Sequence, residues 1–372
     1  MARLKGNIFI EEVGGVVPGQ IEWDESGYIT ALDPASSLEC ERYIFPGFID
    51  EHVHGIGGDD FMDADPGRWM RMDSELARHG VTSYLATTLT APFSHIRRVI
   101  EESRASRSEH NGPTGLLGIH LEGPFIDRAA IGAQPLEEVA EASLESLVSL
   151  VGENSDGWIR LLTWAPNLPE SDQAISWLTK RGIQVNLGHS LATYEAGRAA
   201  VDQGANGLTH FFNAMSPLQH REPGLVGLGL MDERVWCELI ADGIHVRPEV
   251  VRYVMQTLGH RVLLVTDAMA ATDMSPGSYT LGGFPVTVAD GAARLADGTL
   301  AGSVLTMDQS LRNLMAWGMP LASVVRGMST NAAARLGLDD RGRLRIGSYA
   351  DIVVMDSTFS VLSTYRQGHP IY

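Results

Sequence analysis

Residues 44–55 read Ile-Phe-Pro-Gly-Phe-Ile-Asp-Glu-His-Val-His-Gly: a short apolar run, broken by Pro46-Gly47, that finishes on two histidines. A run this short and this apolar reads as a strand buried on both faces, the state of strands in a parallel sheet. Seven further runs follow: Val81–Thr87, Gly115–Leu121, Ile159–Trp164, Ile183–Leu187, Gly207–Thr209, Cys237–Ala241 and Val262–Thr266. Most are separated by segments with helical periodicity, and eight strands alternating with helices predict an α/β fold, a (β/α)8 TIM-type barrel.

The flanks differ. Residues 19–32 alternate like exposed sheet, and residues 342–355 (GRLRIGSYADIVVM) read as a hairpin ending in a buried strand. We expect the N- and C-terminal segments, residues 1–45 and 342–372, to pair in a small β-sandwich domain beside a barrel of residues 46–341. Between Met274 and Leu305, Gly277, Gly282-Gly283, Asp290-Gly291 and Asp297-Gly298 read as turns of a β-excursion after the eighth strand.

Composition narrows the function. The 372 residues carry 46 acidic against 28 basic side chains, net −18, with no Lys/Arg block to neutralise a run of phosphates, so nucleic acid is not an expected partner. A small anion stays admissible, because one Arg or His in a cleft outweighs a distant, screened surface. There is no run of 18 apolar residues and no signal-like start, so a soluble, cytoplasmic protein without membrane contact is expected. With only Cys40 and Cys237, neither a disulfide framework nor a cysteine metal site can form, and any ion must be held by histidines and carboxylates.

Barrel active sites lie at the carboxyl ends of the strands. There the sequence sets His52 and His54 (run one), Glu122 (run three), His189 (five), His210 (six), His245 (seven) and Asp267 (eight). His52 and His54, two residues apart on an extended strand, point to the same side and can grip one cation. Glu122, between a strand of leucines and Gly123-Pro124, would be costly to bury without a metal or charge partner. Asp267 follows Val-Leu-Leu-Val-Thr and can both touch an ion and carry a proton. His120 shares Glu122's face but sits deeper, as a hydrogen-bonded core residue. Four histidines and two carboxylates suit one or two divalent ions, zinc or iron first, manganese or cobalt next. Such an ion acidifies water and polarises a carbonyl, which makes hydrolysis the natural reaction class. Only Lys5 and Lys180 are present, so no strand-end lysine could bridge two ions as a carbamate. The long loop after His210 (FFNAMSPLQHREPGLVG) carries Asn213, His220 and Arg221; Arg221 offers a planar fork for phosphate or carboxylate, and His245 a second donor.

The stretches PGFIDEHVHG, GIHLEGPFI, NLGHS, THFFNAMSPLQHREPGLVG, ADGIHV, VTDAM, LAGSVLTM and NAAARLGLDDRGRLRIGSYADIVVMD span residues 46–356. They resemble the amidohydrolase superfamily and, within it, the N-acetylglucosamine-6-phosphate deacetylases; HLEGPF, HFFNAM and REPG are specific to the latter. The resemblance implies that Glu122, His189 and His210 form the main metal site, that Asp267 is the acid/base, and that Arg221 and His245 hold a sugar 6-phosphate. It also implies substrate contacts from Ala133, Asn213, Ala214 and the backbone of Leu300, Ala301 and Gly302. Phosphate contacts in that family reach across a dimer interface, so a homodimer is expected. The presence of both His52 and His54 favours a second ion bridged by Glu122. In RAAIGAQPLEE, Gln134 stands where some members have His, which leaves the gluco/galacto choice open. The expected activity is hydrolysis of the acetamide of N-acetylglucosamine 6-phosphate to acetate and glucosamine 6-phosphate. The rivals are another N-acetyl amino sugar, a ring-base deaminase and a catalytically silent barrel.

Overall fold

Gly47 is where the chain passes from one sheet to another. In the computed structural model, which describes residues 2–34, 41–109, 112–153 and 157–372, Tyr43–Pro46 belongs to a terminal sheet and Phe48–Val53 opens the barrel. The single run read from the sequence is thus two strands. A Cβ on Gly47 would stand 2.1 Å from Thr82 Oγ1, so only glycine lets the crossing pack.

The barrel strands are β1 (Phe48–Val53), β2 (Val81–Thr88), β3 (Leu116–Glu122), β4 (Ile159–Trp164), β5 (Gln184–Leu187), β6 (Gly207–Leu208), β7 (Trp236–Ile240) and β8 (Val262–Val265). They pair in parallel, each with its sequence neighbour. The ring is drawn together by a parallel bridge from Val53 to Ala268 and by the Asp267 N–H donating to the His52 carbonyl at 2.9 Å. β1, β2 and β8 are buried at every position, as expected where helices cover the outside and side chains fill the inside. Several covering helices begin on sequence-encoded caps: Asp65, Ser143 and Thr193 each accept backbone N–H groups of the turn they start.

The terminal sheet is one continuous seven-stranded array. Val361–Arg366 pairs with Ile352–Met355, which pairs with Tyr43–Pro46, which in turn pairs in parallel with Ala2–Ile10. Its own cluster includes Ile8, Ile21, Trp23, Ile29, Ile44 and Ile352. Of residues 342–355, only Ile352–Met355 is strand; positive φ at Gly342 and Gly347 turns the chain before it, and the hairpin partner is Val361–Arg366. Arg366, buried, fastens this sheet to the barrel by donating to Asp73 Oδ2 at 2.7 Å and to the Thr82 carbonyl at 2.9 Å. After β8, Gly277–Leu281, Phe284–Ala289 and Ala292–Arg294 form an antiparallel sheet with turns at Gly282-Gly283 and Asp290-Gly291. Cys237 is a buried free thiol, and Cys40 lies outside the described residues. No described helix is long and apolar enough to cross a membrane.

Candidate active site

Six side chains meet at the carboxyl ends of the strands. Glu122 is the last residue of β3, His52 is on β1 and His54 just beyond it, while His189, His210 and Asp267 each stand two residues past β5, β6 and β8. All six are buried, between 0% and 7% exposed, although all but His52 border a cavity on the barrel's open face. So much polar surface is tolerated in a core only where the groups satisfy one another or an ion.

Three of the six have left-handed backbone: His189 (φ 45°), His210 (φ 32°) and Asp267 (φ 50°). The loop after His210 adds Phe212 (φ 81°) and Ala214 (φ 48°). Each such non-glycine residue costs on the order of 1–3 kcal/mol unless its surroundings enforce it. Here segments distant in sequence do so: Ser303 N–H donates to the Asp267 carbonyl at 2.7 Å, and Phe211 N–H to the Glu238 carbonyl at 2.7 Å. The turns lift the side chains out of the strand direction and aim them inward.

Two sets of donor atoms result. Glu122 Oε1 lies 3.2 Å from His189 Nε2 and 3.0 Å from His210 Nε2, and these two nitrogens are 3.1 Å apart. His52 Nε2 and His54 Nε2 are 3.2 Å apart, and Asp267 Oδ1 is 3.5 Å and 3.2 Å from them. Glu122 joins the sets, with Oε1 3.5 Å from His52 Nε2 and Oε2 3.4 Å from His54 Nε2. Within each set the ligand atoms lie within 4.8 Å of one another.

The donor chemistry fits divalent cations. His189 Nδ1 donates to the Ala130 carbonyl at 2.9 Å, which leaves its Nε2 lone pair facing His210. Burial would raise the Glu122 pKa, but His52, His189 and His210 outweigh it and hold the carboxyl well below its usual range. Burial opposes charge on His52 too, yet Asp267, Glu238 and Glu122 lift its pKa to about 10. A cluster that draws positive charge this strongly, from nitrogen and oxygen donors only, suits zinc or iron. His120 has no lone pair to spare: its Nδ1 donates to the Glu51 carbonyl at 3.2 Å, its Nε2 accepts from the Thr163 hydroxyl at 2.8 Å, and burial with His52 alongside pushes its pKa down to about 3.

The cavity is about 510 Å³, in the range of small-molecule sites. Its wall includes His54, Glu122, His189, His210 and Asp267, together with Ala133, Asn213, Ala214, His245, Leu300 and Gly302. Ala301 is fully buried behind the wall, its N–H donating to the Ala293 carbonyl. Arg221 is exposed on its loop and not part of the wall. His245 is held by a residue the sequence reading passed over: Asp242 accepts from the Ile244 and His245 N–H groups at 2.8 and 2.9 Å, and its Oδ2 is 2.6 Å from His245 Nδ1. Gln134, considered for sugar contact, is already engaged. Its Nε2 donates to Glu122 Oε2 at 2.6 Å and its Oε1 accepts from the Thr90 N–H at 2.8 Å.

Residues 43–371 match the Amidohydrolase family. The chain belongs to that family. Its relatives include an N-acetylgalactosamine-6-phosphate deacetylase of Escherichia coli O157:H7, 40% identical with 92% of each chain covered. An N-acetylglucosamine-6-phosphate deacetylase of Vibrio furnissii is 37% identical, covering 94% of this chain and 90% of that one. Among solved amidohydrolase structures, the N-acetylglucosamine-6-phosphate deacetylase of Thermotoga maritima superposes with a TM-score of 0.93 at 34% identity, over 100% of this chain and 99% of that one. A mutant of the Mycobacterium smegmatis enzyme in complex with N-acetyl-D-glucosamine-6-phosphate gives 0.91 at 34% identity, over 99% and 98%.

Proposed function

We propose that this amidohydrolase removes the acetyl group of N-acetyl-D-glucosamine 6-phosphate by metal-dependent hydrolysis, in the cytoplasm, yielding acetate and D-glucosamine 6-phosphate. The observation that carries it is Asp267, a carboxylate on the cavity wall within 3.5 Å of both strand-one histidines, in a chain whose relatives deacetylate hexosamine 6-phosphates.

Glu122, His189 and His210 would hold one divalent ion, and His52, His54 and Asp267 a second, with Glu122 between them. Such ions acidify water and polarise the amide carbonyl. Burial would raise the Asp267 pKa, but His52 and His54 outweigh it and keep it below the usual carboxylate value. Asp267 therefore enters the reaction ionised, accepts the proton of the attacking water and delivers it to the departing amine nitrogen. Ala133, Ala214 and Leu300 supply apolar surface on the cavity wall, against which the acetyl methyl would pack. His245, its Nδ1 fixed by Asp242, has Nε2 left for the 6-phosphate. Arg221, exposed and off the wall, fits a homodimer in which each chain lends its guanidinium to the other's cavity.

A second reading, the galacto epimer, is favoured by the 40%-identical relative. Acetate release from N-acetylglucosamine 6-phosphate, its galacto epimer and the unphosphorylated sugar, on protein whose metals have been counted, decides among them. Preference for the first supports the proposal, preference for the second replaces the sugar, and metal-loaded protein inert on all three overturns the substrate.

A further inference from the structure

Below the six donors, inside the barrel, lies a chain of buried charges that the reaction does not touch. Glu238, in the middle of β7, is fully buried. Its Oε2 accepts from His52 Nδ1–H at 2.9 Å and from the His210 backbone N–H at 3.1 Å; its Oε1 accepts from Asn186 Nδ2 at 2.6 Å. Asn186 Oδ1 accepts from Arg335 Nη2, and Arg335 Nη1 donates to Glu51 Oε1 while lying 4.0 Å from Glu238 Oε1. Two carboxylates, an amide and a guanidinium are thus sunk beneath a metal-ligand cluster, all 0–5% exposed. The fold makes room for them: a Cβ on Gly207 would stand 2.0 Å from Asn186 Oδ1 and 2.4 Å from Arg335 Nη2, so β6 carries glycine where the network passes.

A buried ion network is weak evidence of stabilisation, because apolar residues of similar volume do as well or better. Its placement says what else it does. Of the four imidazoles in the cluster, only His52 gives its second nitrogen to a carboxylate. His189 gives its to a backbone carbonyl, and Nδ1 of His54 and of His210 have no partner among the described residues. A carboxylate behind a histidine fixes the ring and its tautomer and raises the basicity of the far nitrogen. We propose that Glu238, held by Asn186 and Arg335, is the positioning residue that commits His52 Nε2 to the ion shared with His54 and Asp267.

This rests on the two-ion reading given above, and it makes the two sites unequal. The ion at His52, His54 and Asp267 depends on Glu238. The ion at Glu122, His189 and His210 depends on it only through one backbone contact.

The experiment dialyses the purified protein against a series of buffered free zinc concentrations and counts bound zinc by mass spectrometry, for wild type, Glu238→Gln, Glu238→Ala and Asn186→Ala. Wild type is expected to hold two zinc ions per chain. Glu238→Gln, close to isosteric, should weaken one of them about 10- to 100-fold and leave the other within about threefold, the size of effect seen when such supporting groups are removed. Asn186→Ala should weaken the same ion by less. At a zinc level that fills one site, kcat should fall in Glu238→Gln while KM stays put, because Glu238 is off the cavity wall. Should Glu238→Ala fail to fold, the Gln variant still decides. Two zinc ions bound with wild-type affinity in Glu238→Gln overturn the proposal and leave the two-ion reading intact. One ion in wild type removes that reading, and the proposal with it.

Discussion

The two donor sets that share Glu122 are held by opposite means. His189 and His210 lie beyond their strands on turns with φ 45° and 32°, and the rest of the loop after β6 continues the strain. His52 and His54 lie on or beside an extended strand, and His52 is braced from beneath by Glu238. One set takes its geometry from backbone that segments distant in sequence hold in a costly shape; the other takes it from buried charge. Asp267 belongs to both descriptions, since it faces the strand-one histidines from a left-handed turn at φ 50°.

That double character makes Asp267 the place to separate holding from chemistry. Asp267→Asn keeps an oxygen for the ion and the same volume but cannot carry the proton. It should retain the fold and its metal while losing at least about 100-fold in kcat, the usual worth of a positioned general acid/base. Steady-state kinetics on metal-counted protein tests this, and turnover near that of wild type would remove Asp267 from proton transfer.

Neither donor set holds the phosphate, so a change at His245 should leave both intact. His245→Ala loses a charge-assisted contact of about 1.5–3 kcal/mol, or roughly 10- to 100-fold in KM for the phosphorylated sugar. KM for the unphosphorylated sugar should hardly move. An equal rise for both would assign His245 to the sugar ring instead.

The eight strands were legible because short apolar runs, most of them of five to seven residues, need no tertiary knowledge to be recognised, and the polar residue closing most of them stood out against that background. The reading went wrong where one run served two sheets, at Pro46-Gly47, since nothing in apolar periodicity says which sheet a strand joins. Glu238 was missed although its signal matched that of Glu122: a carboxylate inside a buried run, here Cys-Glu-Leu-Ile-Ala. Arg335, a cation in the apolar segment Asn-Ala-Ala-Ala-Arg-Leu, was the complementary signal. Asp242 escaped because its role is local, capping the turn that carries His245. The left-handed turns at His189, His210 and Asp267 could not be read at all, because they are held by hydrogen bonds from segments distant in sequence.

Gln134 touches what the two donor sets have in common, and so sharpens the comparison at lower cost. Gln134→Ala frees Glu122 Oε2 and the Thr90 N–H without altering any donor atom. A supporting contact of this kind is worth about 10-fold in metal affinity, and since Glu122 serves both sets, both ions should weaken together. Weakening of one ion alone would mean that Glu122 belongs to one set only.

The smallest expected effect comes from an imidazole–carboxylate pair outside the cavity, which shows what such a pair does when no ion is involved. His79 Nδ1 lies 2.9 Å from Asp308 Oδ1, with Arg312 and Thr306 on the same carboxylate. Burial opposes both charges. On His79, Asp308 and Asp273 outweigh it and raise the pKa above 6.5; on Asp308, His79, Thr306 and Arg312 outweigh it and hold the pKa at about 2, below the ordinary 3.8. The raised histidine stabilises the fold fully below pH 6.5 and loses that contribution as pH rises through its folded value. The depressed aspartate stabilises it above pH 3.8 and loses that as pH falls through about 2. The pair is therefore strongest between those limits, and Asp308→Asn should cost about 1–3 kcal/mol near pH 5.5. The cost should shrink as pH rises through the folded His79 value, above which His79 is neutral in both proteins and only the contacts to Arg312 and Thr306 are lost. Denaturant midpoints across a pH series rising from about 5.5 measure it. A cost that does not change with pH would mean that the pair is held by hydrogen-bond geometry rather than charge, and that a carboxylate behind a histidine, as at Glu238, acts in this protein mainly by orientation.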